Sequence, residues 1–200
     1  MKFLRKIYNL FNYFISIPKW KALLRKEKIW LELGSGAKKG NNGWITVDNF
    51  GADICHDLTK GIPLPDESVD LIYTSHTLEH IPFNDLVKFI KECFRVLKKK
   101  GHLSVCVPDA SRYIKSYIDK KNFREIKDCA KTAIVNTGSF MDQVNYIAYM
   151  DQLHKYMFDS ENLVKTLSLA PFTKVSLRDF DESVDLKSRD FESIYAIAIK

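Results

Sequence analysis

The chain has 200 residues, of which 46% are hydrophobic and 28% charged, the composition of one globular domain or of a domain with a small extension. A wholly disordered chain and a polytopic membrane protein are excluded, and the length suffices to bury a core without disulfide staples. The net charge of +6 is uneven: residues 1–28 carry eight Lys/Arg against Glu27 alone, which leaves 23 basic and 24 acidic side chains in residues 29–200.

The first 28 residues therefore read as a basic extension, and residues 29–200 as a near-neutral domain with no nucleic acid expected as partner. In the extension, Lys2, Arg5, Lys6, Asn9, Asn12, Ser16 and Lys19 follow helical spacing, with Leu4, Ile7, Tyr8, Phe11, Phe14 and Ile15 opposite. The apolar stretch Ile7–Ile17 is too short to span a bilayer, and no small-residue cleavage site follows it. Two readings stay open: an interfacial helix making peripheral contact with an anionic membrane through residues 1–20, or a helix packed on the domain as a lid.

After residue 28, strand-like and helix-like patterns alternate. Ile29–Leu33, Trp44–Val47, Ala52–Cys55 and Val69–Thr74 read as strands. Leu86, Val87, Ile90, Phe94 and Leu97 share one helical face, with Pro82 near the start and Gly101 past the end. His102–Val107 is a strand closed by Pro108-Asp109, Tyr113–Ile134 has helical spacing, Ser160–Leu169 is a capped helix, and Thr173–Leu177 and Ile194–Ile199 are closing strands. Such alternation predicts an α/β fold around a mostly parallel sheet. Cys55, Cys93, Cys106 and Cys129 form no C-x-x-C pair and no zinc-finger spacing, so no metal is expected, and a reducing, cytoplasmic setting is the simpler reading.

The sharpest local feature is Glu32-Leu-Gly34-Ser-Gly36, directly after the first strand. Glycines there permit positive φ and close approach of backbone to a ligand. A dinucleotide loop wants a third small residue three positions on, opening a helix. Lys39 holds that place, and the next strand begins by Trp44, which argues against NAD or FAD. Asp48 ends the second strand, where a carboxylate can accept both hydroxyls of a ribose. Asp57-Leu58 follows the third strand, with an acceptor for an amino group and an apolar cover for a ring. Together these describe an adenosine pocket without pyrophosphate. Taken singly, each has a structural reading as a turn glycine, a strand-end cap or an Asx turn.

On these residues the chain resembles the class I S-adenosylmethionine-dependent methyltransferases, in a small bacterial form with a compressed first half. The resemblance runs from Ile29 to Lys200. It rests on Glu32-Leu-Gly34-Ser-Gly36, Gly43-Trp-Ile-Thr-Val-Asp48, Cys55-His-Asp57-Leu58, and the run from Leu64-Pro-Asp through Asp70 and Ser75-His76 to Glu79-His80. Glu92-Cys-Phe-Arg95-Val-Leu97, Val107-Pro-Asp109 and His154-Lys-Tyr-Met-Phe158 continue it. It departs at Lys99-Lys100, where the family often shows Pro-Gly. The resemblance implies a Rossmann-like, mostly parallel seven-stranded sheet with an antiparallel last strand and shortened first helices. It implies S-adenosyl-L-methionine as cofactor, held by Glu32, Gly34, Ser35, Gly36, Asp48, Asp57, Leu58, Ser75 and His76.

Methyl transfer needs mainly alignment of acceptor, methyl carbon and sulfur, and an oxygen acceptor also needs a base. The candidates are His76, Asp109 and His154, with His80 behind them. His76 leads by position and by the titration range of histidine; Asp109 is equally readable as a helix cap. The stretch Asn136–Tyr156 is rich in amide and aromatic side chains, a mix suited to a small-molecule or glycan-type acceptor such as cell-surface polysaccharide assembly presents. A noncatalytic nucleoside-binding scaffold is the alternative from another class. An RNA methyltransferase is disfavoured by the near-neutral domain. A cytoplasmic setting is expected, peripheral at the inner face of the membrane if the N-terminal helix is interfacial rather than a lid.

Overall fold

The computed structural model describes residues 15–121 and 137–200. Helix α1 (residues 15–23) leads into strands β1 (Trp30–Leu33), β2 (Trp44–Asp48), β3 (Ile54–Cys55) and β4 (Val69–Ser75). Helix α2 (Phe83–Val96), β5 (Leu97–Pro108), α3 (Ala110–Asp119), α4 (Met141–Tyr149), α5 (Ser160–Leu167), β6 (Lys174–Leu177) and β7 (Ser193–Ile199) follow. The seven strands form one sheet in the order β3-β2-β1-β4-β5-β7-β6. All neighbours among β1 to β5 are parallel, and β7 runs antiparallel to both β5 and β6. This is the expected seven-stranded architecture.

The order of connection reverses between β1 and β4, which puts a crevice at their carboxyl ends, the place where open α/β sheets bind ligands. β1 and β4 are nearly all apolar on the buried side: Leu31, Leu33, Val69 and Ile72 are fully buried. In α2, Leu86, Phe89, Ile90, Cys93 and Val96 recur at three-to-four spacing and are buried, packing against β5. No helix occupies the β1–β2 or β2–β3 connections. Asp53 instead ties them down: its Oδ2 accepts from Gly40 N at 2.9 Å, Thr46 N at 3.1 Å and Thr46 Oγ1 at 3.0 Å.

Four expectations shift. The extension does not stop being part of the domain at residue 28, because Trp20 and Leu23 of α1 are 2% and 6% exposed within the main core. Residues 1–14, which carry most of the basic amphipathic pattern, lie outside the described residues. β5 starts at Leu97 rather than His102, since Leu97 already pairs with Val69 before a register shift. The helix expected over Tyr113–Ile134 starts at Ala110 and ends at Asp119, where Lys120 adopts a left-handed φ of 52° and closes it; from residue 122 the rest of that span lies outside the described residues, as does Asn136. Helix α4 stands in the polar stretch after it, where the sequence pattern predicts no helix. Its apolar stripe is thin, with Ile147 buried and Tyr146 half-buried against Tyr113 of α3.

Candidate functional site

The crevice begins with the turn after β1. Gly34 N donates to Val47 O at 2.8 Å, folding the turn over the end of β2. Gly34 has a φ of +75°, and a Cβ there would lie 2.1 Å from Thr77 Oγ1, so only glycine fits. Thr77 Oγ1 in turn donates to Gly34 O at 3.1 Å, joining the turns after β1 and β4. Gly36, at φ +68°, has nothing near its would-be Cβ: its open side faces space rather than protein.

Asp48 sits at the end of β2. Its Oδ2 accepts from Gly36 N at 2.9 Å and its Oδ1 from Asn49 N at 2.6 Å, so the carboxylate is oriented before any ligand arrives. Each oxygen keeps a second lone pair for a ribose hydroxyl. Asp57 is divided in role. Its Oδ1 accepts from Thr59 N at 3.0 Å and Thr59 Oγ1 at 2.6 Å, capping the short 3-10 turn Leu58–Lys60, while the residue also lines the crevice. Glu32 pairs with Lys38 at 2.6 Å across the mouth of the glycine turn.

These groups enclose a cavity of about 510 Å³, within the range of roughly 300–1,000 Å³ usual for small-molecule sites. The structure brings all nine residues expected at the cofactor to its walls: Glu32, Gly34, Ser35, Gly36, Asp48, Asp57, Leu58, Ser75 and His76. Sequence reasoning missed Lys38 and Arg189, which also line it. Lys38 was legible as a charge just past Gly36, within the glycine turn. Arg189 comes from the 3-10 segment Lys187–Glu192 ahead of β7, and nothing local in the sequence marks it.

The residues considered as bases separate. His76 follows β4 in a left-handed conformation, φ +49°, and its Nε2 lies 2.9 Å from Ser193 Oγ. Burial, helped by the Arg189 charge, pushes its pKa down to about 3. It is a neutral imidazole and a poor proton acceptor near neutral pH, contrary to the expectation that ranked it first. Asp109 lines neither this cavity nor its neighbour; it is the N-cap of α3, accepting from Ser111 N at 3.0 Å and paired with Arg112 at 3.3 Å. Its geometry is that of a helix cap.

His154 lies in a second, smaller cavity of about 210 Å³ with His76, Glu79, His80 and Arg189 on its walls. Three of these five, His76, His80 and Arg189, line both cavities, so the two spaces adjoin. Burial lowers the pKa of His154. Of the amide and aromatic stretch, Tyr146 and His154 reach this cavity. Gln143 instead binds Ser116 at 2.9 Å and Asp142 binds Thr137 N at 2.7 Å, and Asn145, Tyr149 and Gln152 are exposed.

The sheet order, the glycine turn after β1 and the acid ending β2 together define the Rossmann-like fold of class I S-adenosylmethionine-dependent methyltransferases. Comparison with known proteins agrees. Residues 34–105, a segment that builds much of the crevice, match the family model described as "Methyltransferase domain". A protein of Mycolicibacterium smegmatis named "Probable S-adenosylmethionine-dependent methyltransferase" is 31% identical over 91 residues, 44% of this chain and 35% of its own length. One of Mycobacterium tuberculosis with the same description is 31% identical over 84 residues, covering 40% and 30%. The aligned part thus spans about a third of these relatives. Among solved structures, a SAM-dependent methyltransferase from Archaeoglobus fulgidus superposes over 94% of both chains with a TM-score of 0.54 at 14% identity. One from Thermotoga maritima covers 98% of this chain and 94% of its own with a TM-score of 0.53 at 18% identity.

Proposed function

We propose that the chain transfers the methyl group of S-adenosyl-L-methionine to an oxygen of a small-molecule or glycan-type acceptor. The observation that carries the cofactor half is the convergence of the turns after β1, β2, β3 and β4 on one cavity of about 510 Å³. The residues fit the group on several counts. Asp48 presents an oriented carboxylate to a vicinal diol. Leu58, 9% exposed, offers an apolar surface to a purine. Glu32 and Lys38 offer opposite charges to the ammonium and carboxylate of an amino acid. The open side of Gly36 leaves room for backbone approach. When bound, the cofactor supplies an electrophilic methyl carbon on a sulfonium; the chain's contribution is alignment and exclusion of water.

The acceptor half is supported by the adjoining cavity, whose walls mix Tyr146, His154, Arg189 and Glu192, a lining of hydrogen-bonding and aromatic groups suited to a hydroxyl-rich molecule. A role in cell-surface polysaccharide assembly, at the inner face of the membrane through the basic residues 1–20, extends this proposal. No helix among the described residues is long and apolar enough to cross a membrane.

Titration of the folded chain with S-adenosylmethionine by calorimetry tests the reading. Saturable binding of one molecule per chain is expected; absence of binding overturns it. Transfer of labelled methyl from the cofactor to a panel of glycans and small hydroxylated acceptors tests the second half, and label appearing only on nitrogen acceptors overturns the oxygen assignment.

A further inference from the structure

Glu79 is the anomaly beside the cofactor cavity. Its side chain is 3% exposed, it faces the 210 Å³ cavity, and neither carboxylate oxygen accepts a hydrogen bond. A buried carboxylate left in that condition is costly. The groups closest to it are imidazoles. His76 Nδ1 stands 3.7 Å and His80 Nε2 3.8 Å from Glu79 Oε1, and the rings of His80 and His154 are 5.0 Å apart between centroids. One ligand atom from each of Glu79, His80 and His154 lies within 4.8 Å of the other two.

The two imidazoles are held in the same manner. His80 Nδ1 faces Leu153 O at 3.1 Å, and His154 Nδ1 faces Ile147 O at 2.7 Å. A carbonyl can only accept, so Nδ1 carries a proton in both rings, and Nε2 is the ligating nitrogen of the neutral form. That is the arrangement by which metal-ligating histidines are oriented: one ring nitrogen donates to a backbone carbonyl and the other binds the ion. The backbone enforces the meeting, since Glu79 O accepts from Lys155 N at 2.7 Å and Tyr156 N at 3.2 Å, which seats the His154 segment against the Leu78–His80 turn.

We propose that Glu79, His80 and His154 bind a divalent first-row transition metal ion, with Zn²⁺ as the reference ion, in a three-ligand site whose open position faces the acceptor cavity. Two imidazoles and one carboxylate suit zinc and its neighbours; magnesium and calcium prefer all-oxygen sets. Ligands about 2.1 Å from a tetrahedral ion stand roughly 3.4 Å apart, so the three groups contract by about 1 Å on binding. A site with three protein ligands and an open fourth position is of the catalytic type. Resting on the methyl-transfer reading, the ion takes the hydroxyl oxygen of the acceptor and lowers its pKa. The proton leaves to solvent, the oxygen forms the bond to the methyl carbon, and the carbon–sulfur bond breaks to give a neutral thioether.

The test uses the full chain, freed of metal with a chelator and titrated with Zn²⁺ by calorimetry and with Co²⁺ by visible absorption. One ion per chain is expected, with Co²⁺ bands of a low-coordinate nitrogen–oxygen site and no thiolate charge-transfer band. Glu79→Gln and His154→Gln should each weaken Zn²⁺ binding more than about tenfold, and His102→Gln, on β5 away from the cavity, should not. Failure of the intact chain to bind one equivalent, a thiolate band, or unchanged affinity in both variants overturns the site. Circular dichroism checks the variants, and the Co²⁺ spectrum of the unaltered chain decides if neither folds. S-adenosylmethionine binding measured on the chelated protein separates the two proposals: retained cofactor binding without metal binding removes only this one.

Discussion

Asp48 and Gly34 carry different kinds of burden at the same end of the sheet. Asp48 is already hydrogen-bonded to Gly36 N and Asn49 N, so its replacement removes both the proposed ribose acceptor and the anchor of the glycine turn. Hydrogen bonds to charged groups are worth about 1.5–3 kcal/mol each. Asp48→Ala is therefore expected to weaken S-adenosylmethionine binding by about 10- to 100-fold in calorimetry. Gly34→Ala places a methyl group 2.1 Å from Thr77 Oγ1 at a φ of +75°. Strain of this kind costs about 1–3 kcal/mol, and for a chain of this size each kcal/mol lowers Tm by roughly 2–4 °C. A clear drop in Tm, together with loss of cofactor binding, is the expected result. Both residues were legible in the sequence because the end of a strand constrains the few positions next to it. Glu79 was readable as part of a motif, but its meeting with the His154 segment comes from the Lys155 and Tyr156 backbone bonds, a contact across more than seventy residues that no local pattern encodes.

The strands and α2 were readable because their apolar spacing coincides with their burial, as Leu86, Phe89, Ile90 and Cys93 show. Helix α4 was not, since its exposed Met141 and Tyr149 and buried Asp142 blur the period. Asp70 shows how an element can be fixed by charge instead. It lies within β4, where its Oδ2 accepts from Ile29 N at 2.8 Å and from Lys98 Nζ at 2.9 Å, fastening the start of β1 and the start of β5 to one carboxylate. Burial raises its pKa, but the Lys98 and Ile29 hydrogen bonds outweigh it and hold the group below the usual value of 3.8. The folded state binds the proton less tightly than the unfolded one, so the contribution is complete above about pH 3.8 and is lost as pH falls through the lower, folded value. Asp70→Asn should thus be less stable than the parent in urea unfolding at pH 7, with the gap narrowing below pH 3.8. A gap independent of pH would contradict this.

At the level of the whole molecule the uneven charge has a consequence for docking. Because Trp20 and Leu23 are core residues, the cut that removes Lys2, Arg5, Lys6 and most of the amphipathic pattern while sparing the core falls before α1. A chain lacking residues 1–14 is expected to keep its Tm and its cofactor affinity while losing co-sedimentation with anionic liposomes, a loss that added salt should mimic in the intact chain. An intact chain that ignores such liposomes would remove the membrane proposal and leave the methyl-transfer proposal untouched.

The shared wall of the two cavities bears on how ligands would report on one another. His76, His80 and Arg189 belong to both, so filling one space alters the side chains that receive the occupant of the other. Thermodynamic linkage makes such an effect symmetrical: whatever factor one ligand imposes on the affinity of the second, the second imposes on the first. An unidentified acceptor could therefore be sought without turnover, by screening compounds for their power to shift the midpoint of cofactor binding.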